Sequence, residues 1–283
     1  MHTKIHVITD STSYISKEYL KRYPFLHVVP LTVHFKDTGI EDYIENNCLF
    51  MKELAMLGKG GAFPSTSQPP PGKYVEVLSP LVDKGHEIIV ITISSKLSGS
   101  YESALIAAEI VGGDRISIID SKNTAAAQRY LLEYTVEGIL AGRTRSEIVS
   151  HIESKRRHIK LLLMPSDLEH LRRGGRIGGA SALLGTVLDI KPILEIDQNG
   201  LVNVFDKIRT NKRMFRRLVE TVPVDVRRAS VAHVADLDRA QEIHRLISQK
   251  VHCHVDFCEA GPVLAAHVGP GTSGLIFEKN TDN

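Results

Sequence analysis

The chain has 283 residues, of which 42% are hydrophobic and 24% are charged, and its formal net charge is +2. This composition is typical of a globular protein, and the small net charge gives no indication of nucleic-acid binding. Three cysteines are too few for a disulfide framework, and no apolar run approaches the length of a membrane span. We expect a cytoplasmic protein without stable membrane insertion, although transient membrane contact is compatible with this composition.

Strand patterns alternate with helix patterns through the first half of the chain. Predicted strands cover residues 5–8, 28–33, 88–93 and 116–119. A first helix is predicted to begin at Asp10 or Ser11. Further predicted helices cover residues 41–57, 73–82, 101–111, 125–141 and 144–158. Strands that are rich in β-branched residues and do not alternate are typical of parallel sheets covered on both faces. The order predicts a doubly wound, parallel-sheet α/β domain.

Three turns rich in hydroxyl groups follow these strands, at residues 9–13, 94–100 and 120–124. Ligands bind at the carboxyl ends of parallel strands, so the three turns are expected on one rim of the sheet. Free N–H groups, the helix dipole and serine hydroxyls at 94–100 would suit an anion. Ordinary capping of the helix by Ser98 or Ser100 explains this turn equally well. A proline-rich stretch at 63–71 presents further hydroxyls on an extended backbone.

The pattern changes near residue 157. Predicted strands cover 159–164, 191–196, 201–205, 229–235 and 251–258, with helices at 168–171 and 236–249 and an apolar helix through Val187 and Leu188. Asn199-Gly200 predicts a two-residue hairpin turn. The mixture indicates an α+β domain with a mixed sheet, so we expect domains at 1–157 and 158–283.

Two side chains of the second half are candidates for anion binding. Arg176 lies between two glycine pairs, where the backbone can approach a ligand closely and a guanidinium can hold a carboxylate or phosphate bidentately. His267 precedes a glycine-rich turn and could donate to an anion or act as a base for Ser98. A flexible loop with a solvated arginine and a core histidine bonded to the backbone are the alternatives.

Nucleotide and metal sites are not favoured by the motifs present. Gly269, Gly271 and Gly274 have the spacing of a dinucleotide fingerprint, but only nine residues follow them. No phosphate-binding loop of the Gly-x-x-x-x-Gly-Lys type is found. His252 and His254 share one face of the predicted strand, but structural zinc sites usually have closely paired ligands. We predict neither a cofactor nor a metal.

A basic helix face is the remaining candidate for an interaction. Five cations recur at helical spacing with no compensating acid on that face: Arg209, Lys212, Arg213, Arg216 and Arg217. Such a face is usually solvated, but five like charges also favour an acidic partner.

Eight short motifs occur in the order found in one protein family. They lie at residues 9–13, 66–69, 94–100, 120–122, 174–177, 191–192, 209–210 and 266–269. Together they resemble the DegV family of bacterial fatty-acid-binding proteins over residues 5–277. Two departures are Ser100, where threonine is more usual, and Tyr14, where aspartate is common.

The resemblance implies a protein that holds one long-chain fatty acid between its two domains. Carried over motif by motif, the carboxylate ligands would be Thr66, Ser98, Arg176 and His267. Supporting residues would be Asp10, Ser11, Ser94, Ser95 and Gly99.

The resemblance also implies a carrier subunit without catalytic activity of its own. A separate ATP-binding fatty acid kinase subunit would phosphorylate the bound carboxylate for phospholipid synthesis, docking on the basic face that starts at Arg209. Two other function classes stay open: a serine hydrolase on acyl esters using Ser98 and His267, and a phosphate-binding module. The resemblance does not specify the acyl chain or the oligomeric state.

Overall fold

The structure is a computed structural model that describes residues 4–35, 38–56, 63–184 and 190–280. The chain divides between Arg156 and Arg157 into two compact units. Within the described ranges, no helix is long and apolar enough to cross a membrane.

The strands of the first unit are β1 Ile5–Asp10, β2 Leu26–Val29, β3 Thr32–Phe35, β4 Thr38–Glu41, β5 Ser65–Ser67, β6 Glu87–Thr92 and β7 Ile116–Asp120. Its helices are α1 Lys17–Arg22, α2 Asn47–Met56, α3 Pro71–Asp83, α4 Ser100–Val111, α5 Ala125–Leu140 and α6 Arg145–Arg156.

A four-stranded parallel sheet forms the centre of the first unit, in the order β2-β1-β6-β7. Side chains alternate along a strand, so each face of the sheet needs its own cover. Ile8, Ile88 and Val90 share a core with residues of α3 and α4. Gln128 on α5 reaches Thr9, the neighbour of Ile8, so α5 and the adjoining α6 cover the opposite face.

Chain order reverses at β1, since β2 lies on one side of it and β6 on the other. The carboxyl ends of β1 and β6 therefore flank the switch point, where doubly wound sheets bind their ligands. The predicted parallel α/β domain is confirmed, and its hydroxyl-rich turns do lie on one rim.

A small antiparallel sheet, in the order β4-β3-β5, was not predicted. The sequence reads as one strand at 28–33, but the chain leaves the parallel sheet at Pro30 and starts β3 at Thr32. Proline has no N–H to continue the ladder, which explains the break. The predicted helix 41–57 was too long, because β4 ends at Glu41 and α2 begins at Asn47; residue 57 lies outside the described ranges.

The strands of the second unit are β8 Ile159–Met164, β9 Lys191–Ile196, β10 Val202–Ile208, β11 Val226–Val234, β12 Val255–Glu259 and β13 Thr272–Lys279. Its helices are α7 Glu169–Arg173, α8 Asn211–Thr221, α9 Leu237–Ser248 and α10 Pro262–Val268.

These strands form one mixed sheet in the order β10-β9-β8-β13-β11-β12, in which only β11 and β12 pair in parallel. Helices α8 and α9 bury Met214, Leu218 and Ile243 in a core shared with Leu275 and Phe277 of β13. The predicted α+β half with a mixed sheet is therefore confirmed.

Three local predictions for this half were wrong. The β9–β10 turn spans residues 197–201, because the Asp197 carboxylate accepts the N–H groups of Asn199 and Leu201 at 2.9 Å each. Strand β12 starts only at Val255, so the histidines at 252 and 254 precede it. The apolar helix after Gly179 is a 3-10 helix, Gly178–Leu183, and Val187 and Leu188 lie outside the described ranges.

Candidate ligand-binding site

Polar side chains that end or follow β1 and β6 form, together with Thr66 of β5, what we call the hydroxyl rim: Asp10, Ser11, Thr66, Ser94, Ser95, Ser98 and Ser100. All belong to the first unit. Asp10 ends β1, and its carboxylate accepts the N–H of Ile93, just past β6, at 2.7 Å. The Ser94 N–H donates to the Asn123 carbonyl at 2.8 Å. The ends of β1, β6 and the β7–α5 turn are thus joined by hydrogen bonds.

Asp10 is fully buried and bonded on both carboxylate oxygens. Thr12 Oγ1 lies 2.6 Å from Oδ1, and Gln128 Nε2 donates to the same oxygen at 3.2 Å. Burial raises the pKa of Asp10, and the hydrogen bonds from Thr12, Ile93 and Gln128 oppose that rise. Asp10 therefore holds the loops of the rim together, and both of its carboxylate oxygens are occupied by these hydrogen bonds.

Ser11 and Ser95 also have structural partners. The Ser11 hydroxyl donates to Asp42 at 2.8 Å and accepts the Leu31 N–H at 3.0 Å. The Ser95 hydroxyl donates to Asp120 at 2.6 Å. Both serines tie neighbouring loops to the rim.

Thr66 and Ser98 lie on segments that touch each other. Thr66 is half-buried in β5, opposite Val33 of β3. Two residues later, the Gln68 side chain packs over Gly99, where an added Cβ would lie 2.8 Å from Gln68 Nε2. Glycine at 99 lets the Gln68 side chain lie directly against the serine turn, so the two segments are in contact.

The hydroxyl of Ser98 is 3.0 Å from that of Ser100, and either oxygen can be the donor. The Ser100 N–H also donates to Ser98 Oγ, at 3.3 Å. The capping interpretation thus holds in part, because Ser98 satisfies an N–H at the start of α4. Its hydroxyl hydrogen remains available for a second acceptor whenever Ser100 acts as donor.

In the second unit, three side chains form what we call the basic cluster: His170, Arg176 and His267. His170 lies on α7, and its Nδ1 is 3.0 Å from the Ala266 carbonyl of α10. His267 occupies the last turn of α10 and packs against Gly174, where any Cβ would collide with His267 Nδ1. Arg176 folds back to donate to the Gly174 carbonyl at 2.6 Å.

The charge state of His267 follows from this packing. Burial lowers its pKa to about 4, with further contributions from Arg176 and His170. At neutral pH it is therefore an uncharged imidazole beside a guanidinium. A catalytic base normally gains basicity from a carboxylate, whereas the charges that shift this pKa are basic, which counts against the serine hydrolase.

The glycines around Arg176 have a different role from the predicted one. Side chains at Gly178 and Gly179 would collide with Val202 and Asn203 of β10. These glycines allow close packing within the protein, and the interpretation that they crowd a ligand is not needed to explain them.

The basic face of α8 is less uniform than the sequence indicated. Arg209 precedes the helix, which Thr210 caps. Arg217 pairs with Asp206 at 2.7 Å, and Arg216 lies 3.7 Å from Glu220. The statement that no acid compensates this face was wrong. Lys212, Arg213 and Arg216 remain exposed.

Sequence reasoning missed three side chains that belong to these two groups or bond to them: Asp42, Gln128 and His170. Gln128 carried a signal, because it is a polar residue on an alanine- and leucine-rich helix directly after a rim turn. The other two depend on which segments pack together.

The model of the family described as "Uncharacterised protein, DegV family" matches residues 4–280. The chain belongs to the DegV family. It is 34% identical to Protein DegV of Bacillus subtilis over 282 residues, which cover 96% of this chain and 98% of that protein.

Solved structures of the family share the fold. A fatty-acid-binding DegV family protein from Thermus thermophilus is 29% identical, with a TM-score of 0.86 over 98% of this chain and 99% of that one. A stearic-acid-binding protein from Eubacterium ventriosum is 25% identical, with a TM-score of 0.83 over 97% of this chain and 98% of that one.

Proposed function

We propose that this protein binds a long-chain fatty acid and that Thr66, Ser98, Arg176 and His267 hold its carboxylate. The observation that carries the proposal is the DegV fold, shared nearly end to end with a fatty-acid-binding relative. The hydroxyl rim at the switch point of the sheet and the basic cluster supply donors of the required kind.

The donors suit a carboxylate, which is an acceptor only. Ser98 and Thr66 are neutral donors, Arg176 contributes a cation, and an uncharged His267 still has one N–H to donate. Each charge-assisted hydrogen bond contributes about 1.5–3 kcal/mol net. Burial of about 14 methylenes at ~0.8 kcal/mol each would give roughly 11 kcal/mol before entropic costs. The tail would therefore supply most of the affinity, and the polar groups would fix the orientation of the ligand.

The proposal extends to a carrier role in the cytoplasm. The sequence has no nucleotide-binding loop, so the chain is not expected to hydrolyse ATP by itself. A separate ATP-binding subunit would phosphorylate the bound carboxylate, and the acyl phosphate would enter phospholipid synthesis. The exposed cations Lys212, Arg213 and Arg216 on α8 would contact that subunit.

Native mass spectrometry tests the binding step. Delipidated protein incubated with palmitate should gain the mass of one fatty acid. A mass that remains that of the protein alone, with palmitate and with oleate, would overturn the proposal.

A pair of charge reversals tests the carrier step. Arg213→Glu with Arg216→Glu should reduce acyl phosphate formation with a fatty acid kinase subunit at least about tenfold, as loss of two interface charges implies. Palmitate binding should be unchanged. Lys17→Glu with Lys21→Glu, on the exposed face of α1, is the matched control and should affect neither. If palmitate binding is lost in the first variant, the helix serves the ligand site instead.

A further inference from the structure

Three histidines lie together at the edge of the parallel sheet that is opposite the hydroxyl rim. His6 is the second residue of β1, His27 is the second residue of β2, and His86 directly precedes β6. Because parallel strands begin at the same edge of a sheet, all three lie at its amino end. We call them the histidine cluster. Each is half-buried, and the proposed ligand site uses none of them.

The rings of the histidine cluster are in direct contact. His6 Nδ1 is 3.0 Å from His27 Nε2, and these two rings are stacked, with centroids 5.3 Å apart and an interplanar angle of 18°. The centroid of the His86 ring lies 4.5 Å from that of His6. Two ring nitrogens at 3.0 Å form a hydrogen bond, so one must carry a hydrogen and the other a lone pair.

The number of protons that this contact tolerates follows from its geometry. A neutral pair of imidazoles forms it, and a first added proton can bind the donor ring at its other nitrogen without disturbing the contact. A second proton must bind the accepting nitrogen, which places two N–H groups and two positive charges against each other. The contact therefore breaks when both imidazoles are protonated.

The charged groups that act on His6 are basic. Burial, followed by the charges of His27, His86 and Lys84, lowers the pKa of His6 to about 4. His27 belongs to β2, His86 to the loop before β6, and Lys84 to the end of α3. Burial also lowers the pKa of His27. The surroundings of the pair therefore oppose its protonation.

The nearest acid along the chain is directed away from the cluster. His6 and Ile8 share one face of the sheet because side chains alternate along a strand, and Ile8 lies in the core with α3 and α4. Glu87, which follows His86, is 3.3 Å from Arg145 of α6. Since α6 covers the other face of the sheet, this carboxylate does not compensate a charge on the cluster.

The strand that depends most on this contact is β2. It has four residues and lies at one end of the sheet, where β1 is its only neighbour among the described strands, whereas β1 has a neighbour on each side. Loss of the contact should therefore loosen β2 before β1. Two residues after β2, the Leu31 N–H donates to the rim hydroxyl of Ser11 at 3.0 Å. A loosened β2 would thus disturb the hydroxyl rim as well.

We propose that the histidine cluster is a pH-sensitive switch, in which the contact between His6 and His27 holds β2 against β1 and double protonation releases β2. Within the described ranges, no group of three or more histidine, cysteine or acidic side chains is arranged to hold a metal ion, so the ligand of this cluster is the proton. The inference goes beyond the proposed fatty-acid function and does not depend on it, because no member of the cluster belongs to the ligand site.

Hydrogen exchange measured by mass spectrometry at pH 7.5 and pH 5 tests the switch, after correction for the chemical exchange rate at each pH. A histidine in the open form binds its proton near about pH 6.5, whereas His6 in the folded form binds it only near pH 4, because its pKa is lowered to about 4. Between these values the opening equilibrium of β2 rises as the pH falls. The full effect of His6 at pH 5 is ~30-fold, and its partial exposure reduces this to about tenfold. The other edge strand, β7, contains no histidine and should change much less.

Three single variants and one double variant complete the design. His6→Gln and His27→Gln keep a hydrogen-bonding side chain that does not titrate. Each should retain protection of β2 at pH 7.5 and lose most of the increase in opening at pH 5. The double variant should lose little more, because the effect belongs to the pair. His252→Gln replaces an exposed histidine of the second unit and should behave as the wild type.

Nitrogen-15 resonances of the imidazoles give a readout in the wild type that no substitution can disturb. His6 and His27 should titrate in two well-separated steps, the second of them below pH 5. Independent titration of both rings near pH 6.5 would overturn the proposal. It would also be overturned if β2 loses no more protection than β7 at pH 5, or if the effects of the two single variants simply add. None of these outcomes depends on whether the protein binds a fatty acid.

Discussion

The hydroxyl rim and the basic cluster supply donors by different structural means. The rim forms where parallel strands end, and buried hydrogen bonds such as that from Ile93 to Asp10 fix its loops. The cluster forms where α7 and α10 pack together, and it depends on two glycines, which have no side chain to fill the space that the histidines occupy. Gly174 makes room for His267, and Gly269 makes room for His170, whose ring would lie 2.6 Å from a Cβ there.

This difference predicts that substitutions in the two groups will affect ligand binding to different extents. A rim held by many hydrogen bonds should tolerate the loss of one hydroxyl with a modest loss of affinity. A cluster held by close packing should fail when volume is added, because packed interiors do not absorb extra atoms easily. The rim is also neutral apart from Asp10, whereas the cluster carries positive charge.

The largest effect is expected from filling the space beside His267. Gly174→Val would displace the imidazole and disturb the carbonyl that Arg176 donates to. Loss of two charge-assisted contacts of ~1.5–3 kcal/mol each should weaken palmitate binding by more than about 100-fold in calorimetric titration.

Gly175→Ala is the neighbouring control, because no atom lies within 4 Å of an added Cβ there, although its φ of +70° makes the substitution strained. It should cost stability and leave most of the affinity. Equal losses of affinity in the two variants would show that packing against His267 is unimportant.

Removal of the guanidinium should have the next largest effect. Arg176→Ala should weaken palmitate binding about 10–100-fold, the value of one charge-assisted contact. Arg176→Lys should recover only part of this, because an ammonium cannot form the planar two-point contact. Hexadecanol, measured in parallel, should be affected much less. If the acid and the alcohol weaken equally, Arg176 does not contact the head group.

Loss of single rim hydroxyls should have smaller effects. Ser98→Ala and Thr66→Val should each weaken palmitate binding about 5–10-fold, consistent with one hydrogen bond within a supported network. Thr38→Val, in β4 of the same small sheet as Thr66, is the control, since the Thr38 hydroxyl donates to the nearby Phe35 carbonyl. Binding that is unchanged in both rim variants would remove the rim from the ligand site.

The remaining effect is a pH dependence of stability rather than of ligand affinity. The pKa of His267 is lowered to about 4 in the folded protein, whereas an unfolded histidine titrates near about 6.5. Between these values the unfolded chain binds the proton and the folded chain does not. Stability should therefore fall as the pH falls from about 6.5 to 4, by up to about 1.4 kcal/mol per pH unit from this group. Urea denaturation at pH 7.5 and pH 5 measures it.

His267→Gln should show a smaller fall over the same interval, because glutamine does not titrate. The difference between variant and wild type isolates this group from others such as His6, whose pKa is likewise lowered to about 4, mainly by burial. An identical fall in both proteins would mean that His267 binds a proton equally well in the folded and unfolded states.

Much of the parallel sheet could be predicted from the sequence. The run at 88–93 and the turn after it locate β6 and the serine turn because β-branched residues without alternation have few other structures to form. Ser98, Arg176 and His267 could be named because each lies beside glycine or a hydroxyl cluster. Their proposed roles come from the family resemblance.

The supporting contacts could not be predicted, for a physical reason. The contacts of Gln68 with Gly99 and of His267 with Gly174 join residues that are far apart in sequence. No local propensity specifies which segments meet. Strands β3 and β5 have four and three residues, too short to produce a periodic pattern.

The most direct test of the fatty-acid proposal is the carbon-13 resonance of palmitate labelled at its carboxyl carbon. Bound to the wild type, it should give one resonance that stays at the position of an ionised carboxylate as the pH is lowered to about 5, because hydrogen bonds and a nearby cation favour the charged form. That resonance should move in Ser98→Ala and also in Arg176→Ala. A resonance that titrates as in the free acid and is unaffected by both substitutions would contradict the proposal.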